Sequence, residues 1–338
     1  MKKRWRVLLL ILVVFSVWFF SFGPGYQYRK LAAEMILSSQ HRQLAWLTFL
    51  SPEELKAIQE NIDRPAFKNL PADLISTPKQ KQSTLSIEVE SIERNYGPDH
   101  YFKGKILYIP DPKMVKMVTS TTPNQGEQIQ VLAKKSGAIA AINANGFHDP
   151  NGQGNGGIPL GIIIENGVIM NAPDNNPDEK DYVAGLTKDG VLITGFYSAH
   201  ELIRMGVTDA GGFKPQLIVN GEKMIKKGNG GWGIAPRTAI GQKEDGTIVM
   251  IVIEGRQVQS LGATLKDVQD LLYERGVVNA ICMDGGSSSI MYLNGETITT
   301  PSSQGNISRF LPNAWVVIPD ENQEIKIVQK PSDTKSKG

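Results

Sequence analysis

"TIVMIVIEGRQVQSLGATLKDVQDLLYERGVVNAICMDGGSSS", residues 247–289, decides the fold. Thr247–Ile253 and Val277–Met283 are continuous apolar runs of strand length, the pattern of strands buried on both faces. Between them, Thr264-Leu265-Lys266-Asp267 forms a capping box with Asp in place of Glu. Leu265, Val268, Leu271 and Leu272 then fall on one helical face, and Gly276 suits the position just past the helix. Strand, helix and strand at this length predict a βαβ unit with parallel strands. Parallel strands bring their carboxyl ends to one sheet edge, where ligands of open α/β sheets bind. Glu254 leaves one of those ends and Asp284 the other, and Gly285 and Gly286 let the backbone there approach a ligand closely.

Working outward, Gln128–Lys135 reads as a helix and Ala138–Ile142 as a third strand, which delivers Asn143 and Asn145 towards the same edge. Upstream of Glu254, strand Arg237–Gln242 and strand Thr247–Ile253 flank the loop Lys243–Gly246. Pairing Gln242 with Thr247 sets Arg237 opposite Val252, and Arg256 shares the face of Glu254 if the chain stays extended. Two guanidinium groups then stand beside two carboxylates. That set suits a substrate with an anionic group next to the bond to be broken, because guanidinium grips phosphate through a planar fork. The amides around Gly285 and Gly286, with the Ser287 and Ser288 hydroxyls, form a nest for sugar hydroxyls or phosphate.

The remaining texture is β-rich. Asn166-Gly167, Asp189-Gly190, Asn220-Gly221, Asp245-Gly246 and Asn294-Gly295 are hairpin turns between short apolar runs, so an antiparallel component joins the parallel one. The fold class is mixed α/β: a large mixed parallel/antiparallel sheet with flanking helices and several β-hairpins. A net charge of +2 spread along the chain gives no nucleic-acid groove, and a single cysteine, Cys282 in an apolar strand, allows no internal disulfide.

Residues 1–27 read as a signal anchor or transmembrane segment. Lys2, Lys3, Arg4 and Arg6 precede an uncharged run from Val7 to Phe22, with no small-residue cleavage site after it. The cytoplasmic membrane is then a partner through this segment, and the positive-inside rule places the rest of the chain outside the cytoplasm. Residues 28–63 read as a helical stalk or packing segment, with Ser51-Pro52-Glu53-Glu54 opening a helix. Residues 64–84 read as a linker, 85–320 as the catalytic domain and the polar stretch 321–338 as a disordered tail.

"NANGFHD" (143–149), "APRTAIG" (235–241), "EGRQVQSLGATLKDV" (254–268) and "MDGGSSSIM" (283–291) occur in an order that resembles the phosphodiester glycosidases. The resemblance covers roughly residues 85–320, and "FLPNAWVV" (310–317) resembles the closing strand of that domain, adding Arg309 as a further basic candidate. It departs from the family where Asp-Gly-Arg is replaced by Glu254-Gly255-Arg256. The resemblance implies hydrolysis of a sugar C1–O bond whose far side is a phosphodiester, with no cofactor and no metal. Asp284 or Glu254 would act at the anomeric carbon, Arg237, Arg256 and Arg309 would hold the phosphate, and Asn143, Asn145, Gly285, Gly286, Ser287 and Ser288 would hold the sugar. The expected substrate is a phosphorylated glycan of the cell wall or an exopolysaccharide. Two other readings remain open: an envelope polysaccharide-binding protein without turnover, and a metal-dependent phosphodiesterase using Asp284, Glu254 and Asp149 as ligands.

Overall fold

The computed structural model describes residues 2–69, 71–76, 84–149, 152–321 and 323–336, which fall into two compact units. One unit comprises residues up to Arg64 together with Gly231–Ile234. Its first helix, Lys2–Ser21, is exposed over an apolar window, Arg4–Ser21, long and apolar enough to cross a membrane. Helix Pro24–Leu37, a 3-10 segment Arg42–Thr48 and helix Pro52–Asp63 follow. Ser51 and Glu54 close a reciprocal capping box on the last of these, and Pro52 occupies its first turn.

The second unit, Pro65–Gly230 with residues from Ala235 onward, holds three sheets where the sequence suggested one. Among the described residues the largest has nine strands, and at its centre Val277–Met283, Arg237–Lys243 and Ile248–Ile253 lie side by side. The two strands of the expected βαβ unit do run parallel, but Arg237–Lys243 sits between them and pairs antiparallel with both. Helix Leu265–Glu274, with Thr264 and Asp267 forming the capping box, makes the crossover. The Ala140–Asn143 strand belongs to a different, five-stranded sheet, paired with Met291–Leu293 and Asn313–Val317. The third sheet, also five-stranded, is built around Lys180–Thr187. All five predicted turns join antiparallel strands, and at Asn166-Gly167, Asn220-Gly221 and Asn294-Gly295 both turn residues have the positive φ of a type I′ turn.

The hairpin register differs from the sequence reading by one residue: Gln242 faces Ile248 and Arg237 faces Ile253. The loop is three residues rather than four, because Lys243 N–H donates to Thr247 O (3.0 Å) while Gly246 takes the left-handed position at φ +89°. Core residues come from all three sheets. Ile240, Ile281 and Met283 of the first pack with Met117, Ile142 and Trp315 of the second and Ile163 and Leu186 of the third. Each such side chain contributes about 1.5–3 kcal/mol on burial.

Two expectations at the domain edges are overturned. Part of the supposed linker is docked: the Phe67 ring lies 5.0 Å from that of Phe196, and Asn69 exchanges two hydrogen bonds with the Phe196 backbone. Residues 70 and 77–83 of that stretch lie outside the described residues. The tail forms strands Glu324–Gln329 and Asp333–Ser336, both pairing parallel with Thr84–Asn95. Asp333 secures it by accepting from Arg94 Nη2 (2.5 Å) and Arg275 Nη2 (2.8 Å), while Arg275 also grips Glu90 through Nε and Nη2 at 3.0 and 2.6 Å.

Burial favours a neutral Glu90, but the hydrogen bonds from Arg275 and Tyr108 outweigh it and hold the carboxyl below its usual range. Asp333 is lowered first by its bond to Arg94. Arg275→Ala should therefore lower stability by about 3 kcal/mol in urea titrations near neutral pH, since it strands a buried carboxylate. Both carboxyls are depressed in the folded state, so their contribution is present above the unfolded pKa and lost as pH falls through the folded one. The gap between parent and variant should accordingly narrow below about pH 4.

Candidate active site

Where the strand Val277–Met283 ends, three segments are laced together by one amide. Asn143 Nδ2 donates to Asp284 O (2.7 Å), and Asn143 Oδ1 accepts from Thr238 Oγ1 (2.8 Å) and Ile290 N (3.1 Å). Asp284 N–H donates to Ala144 O (2.9 Å), and Gly286 N–H to Pro236 O (3.0 Å). These bonds consume the buried polar groups and fix the Asp284 backbone. Gly286 adopts φ +61°, and a Cβ there would lie 3.4 Å from Arg256 Nη1. A side chain at that position would be strained and would press on the guanidinium.

Asp284 is half-buried. Desolvation raises its pKa to about 6, against the opposing pull of the Ser288 hydroxyl, Arg309, the Gly285 N–H and Arg256. Ser288 Oγ is close enough to favour the charge but not in the geometry of a full hydrogen bond, and both it and Ser289 Oγ are buried without a hydrogen-bond partner. A Cβ on Gly146 would sit 3.9 Å from Asp284 Cγ and 3.2 Å from the Phe213 ring, so an aromatic wall stands close to the acid.

Arg256 and Arg309 are the guanidinium groups whose charge reaches Asp284. Arg256 is pulled down by burial and pushed back by Asp284. Arg309 stacks over Phe147 at 4.8 Å, donates Nη1 to Ser287 Oγ at 3.0 Å and pairs with Asp149. Asp149 and Phe147 thus hold a guanidinium in place, a role the sequence reading did not give them. Asp149 Oδ2 also accepts from Gly154 N–H (2.9 Å).

Several expected positions turn out differently. Arg256 has φ +57°, so the chain is not extended after Glu254, which the shared face required. Glu254 Oε1 accepts from Thr300 N at 2.8 Å, bracing the 299–301 loop. Arg237 is only 6% exposed, donates Nε to Ala263 O (3.1 Å), and burial lowers it to about 10. Its charge is felt by Cys282, Arg256 and Asp267, and the ladder that pairs Thr238 with Met283 carries its backbone alongside Asp284. Asn145 is 1% exposed and spends its side chain on Leu160 O, Ile162 O, Gly212 N and Asn313 Nδ2. Asn143 and Asn145 therefore position backbone instead of offering free amides to a sugar. Cys282 is buried and its thiol is pushed up to about 12, which disfavours the thiolate that nucleophilic attack needs.

Fold and site together define a mixed α/β protein with one desolvated carboxyl between guanidinium groups, on a glycine turn at the end of a central strand. The phosphodiester glycosidase family model matches residues 136–318, and the chain belongs to that family. It is 28% identical over 221 residues to the SPbeta prophage-derived uncharacterized protein YomE of Bacillus subtilis (strain 168), covering 60% of this chain and 31% of that one. It is 26% identical over 236 residues to N-acetylglucosamine-1-phosphodiester alpha-N-acetylglucosaminidase of Bos taurus, covering 62% of this chain and 42% of that one. The chain spans less than half the length of these relatives. The fold is also that of the zebrafish N-acetylglucosamine-1-phosphodiester alpha-N-acetylglucosaminidase catalytic domain auto-inhibited by pro-peptide. That match has TM-score 0.61 and 23% identity, over 73% of this chain and 87% of that one.

Proposed function

We propose that the chain is an extracytoplasmic hydrolase that releases a sugar, N-acetylglucosamine being the leading choice, from a sugar-1-phosphodiester of cell-wall or exopolysaccharide material. The observation that carries this reading is Asp284, a carboxyl set between Arg256 and Arg309 on a turn whose glycines admit a ligand. Breaking the C1–O bond leaves the electron pair on a phosphate oxygen. That group departs as a monoester anion and needs little help from a general acid. Arg256 and Arg309 neutralise the charge as it grows. Asp284 serves the anomeric carbon as its ionised form, either attacking it directly or taking the proton from the attacking water. Ser287 and the half-buried turn Gly285–Gly286 face the sugar or phosphate, with Ser288 buried beside Asp284. Glu254, Arg237, Asn143 and Asn145 shape the site from behind. The apolar helix Lys2–Ser21 supports a membrane anchor that keeps the catalytic unit outside the cytoplasm.

The product test is direct. The full chain in detergent micelles, given a hexosamine-1-phosphodiester, is expected to yield free reducing sugar and a phosphomonoester. Recovery of sugar 1-phosphate instead would mean that the P–O bond is cut, and the reading would fail.

A further inference from the structure

In the helical unit, the 3-10 segment Arg42–Thr48 and the residue after it turn their large apolar side chains outward. A 3-10 helix repeats every three residues, so positions i and i+3 share a face. Ala45 and Thr48 form the buried face. Leu44 with Leu47, and Trp46 with Phe49, form two exposed ridges; Trp46 is 62% exposed and Phe49 76%. Small residues are inside and large apolar ones outside, the reverse of what burial favours in water. Phe49 ends the segment at φ +55°, a left-handed conformation that a bulky side chain rarely takes. Within the protein its ring gains little burial in return.

One guanidinium fixes where these ridges lie. Arg29 donates Nη1 to Phe20 O (2.7 Å), Nε to Thr48 O (2.7 Å) and Nη2 to Phe49 O. Phe20 belongs to the last turn of the apolar helix Lys2–Ser21, so the end of the 3-10 segment sits level with the end of that helix. Phe22, just past the helix, is exposed as well. Aromatic side chains at the end of a spanning helix collect at the headgroup boundary, where an apolar body and a polar edge are both accommodated. We propose that Leu44, Trp46, Leu47 and Phe49 dock the helical unit into the outer-leaflet interface of the membrane that Lys2–Ser21 crosses; this rests on the membrane anchor of the proposed function. Lipid is the occupant because the ridges continue the span: a bilayer that covers the helix up to Phe20 also reaches Thr48 and Phe49. Docking fixes the orientation of the helical unit on the bilayer, which one spanning helix leaves free to turn.

The test uses the full chain in nanodiscs of phosphatidylethanolamine and phosphatidylglycerol. A fluorophore is attached through Leu47→Cys, Phe49→Cys, Val14→Cys or Lys56→Cys, one at a time, all at exposed positions. Cys282 is buried, and the parent chain treated alike gives its background labelling. The probes at 47 and 49 should lose fluorescence to a lipid spin label placed near the headgroup and resist iodide in the water. The probe at 56, on the solvent side of its helix, should do the opposite, and the probe at 14 should respond to a spin label deep in the acyl chains. Probes at 47 and 49 that iodide quenches as fully as the one at 56 overturn the docking surface; quenching at 14 then leaves the anchor standing. Probes at 47 and 49 that neither quencher reaches show that protein covers the ridges, a second copy included, and overturn it equally. A probe at 14 that the deep label does not quench removes the anchor itself, and the docking surface falls with it.

Discussion

Asp284→Asn is expected to lower kcat/KM on a sugar-1-phosphodiester by about 10³-fold or more, with the circular dichroism spectrum unchanged. The amide keeps the shape of the carboxyl and removes the charge that must meet the anomeric carbon. Burial raises this acid to about 6, so the parent should show an acid limb in its kcat/KM profile near that pH and a plateau above it. The same shift has a stability consequence of definite sign. Because the folded-state pKa lies above the unfolded one, the folded protein loses stability as pH rises from about 4 to about 6 and carries the penalty at every higher pH. Asp284→Asn carries no such penalty. Its melting temperature at pH 8 should equal or exceed that of the parent, and the gap should close below about pH 4. A variant that retains near-parent turnover removes Asp284 from the chemistry. One that is markedly less stable at pH 8 shows instead that the carboxylate is structural.

How much of this was readable from the chain follows from which interactions are local. The helix Leu265–Glu274, its cap at Thr264 and the five hairpin turns were legible because short-range patterns encode them. The direction of the two flanking strands was legible too, but not that Arg237–Lys243 would be inserted between them; strand order is a long-range matter. The same limit hid the tail strand. Ile325 and Ile327 alternate with polar residues and pack against the core, a period-2 signal outweighed by lysine-rich surroundings. At the site, the sequence singled out Asp284 and its glycines from local oddity alone. It misdirected Arg237 and Glu254, because one residue of hairpin register and one left-handed residue, Arg256, break the extended pairing on which their shared face depended. Asn143 and Asn145 were noticed for their polarity. Their use lies in binding backbone, which no pattern in the chain announces.

Replacing Arg256 tests the electrostatic half of the site. Arg256→Ala should cost about 10²–10³-fold in kcat/KM on a phosphodiester, the range seen when a preorganised donor to a growing anion is removed. Loss on a 4-nitrophenyl glycoside of the same sugar should be far smaller, because that leaving group carries no phosphate for the guanidinium to hold. Arg256→Lys should rescue little: an ammonium keeps the charge but lacks the planar fork. The pH profile separates this role from a purely structural one. Arg256 now draws the Asp284 pKa down, so its removal should move the acid limb upward from about 6, and Arg309→Ala should move it in the same direction. A structural defect would depress both substrates alike and leave the limb in place. Equal losses on phosphodiester and aryl glycoside would therefore take Arg256 out of phosphate binding, whatever the size of the loss.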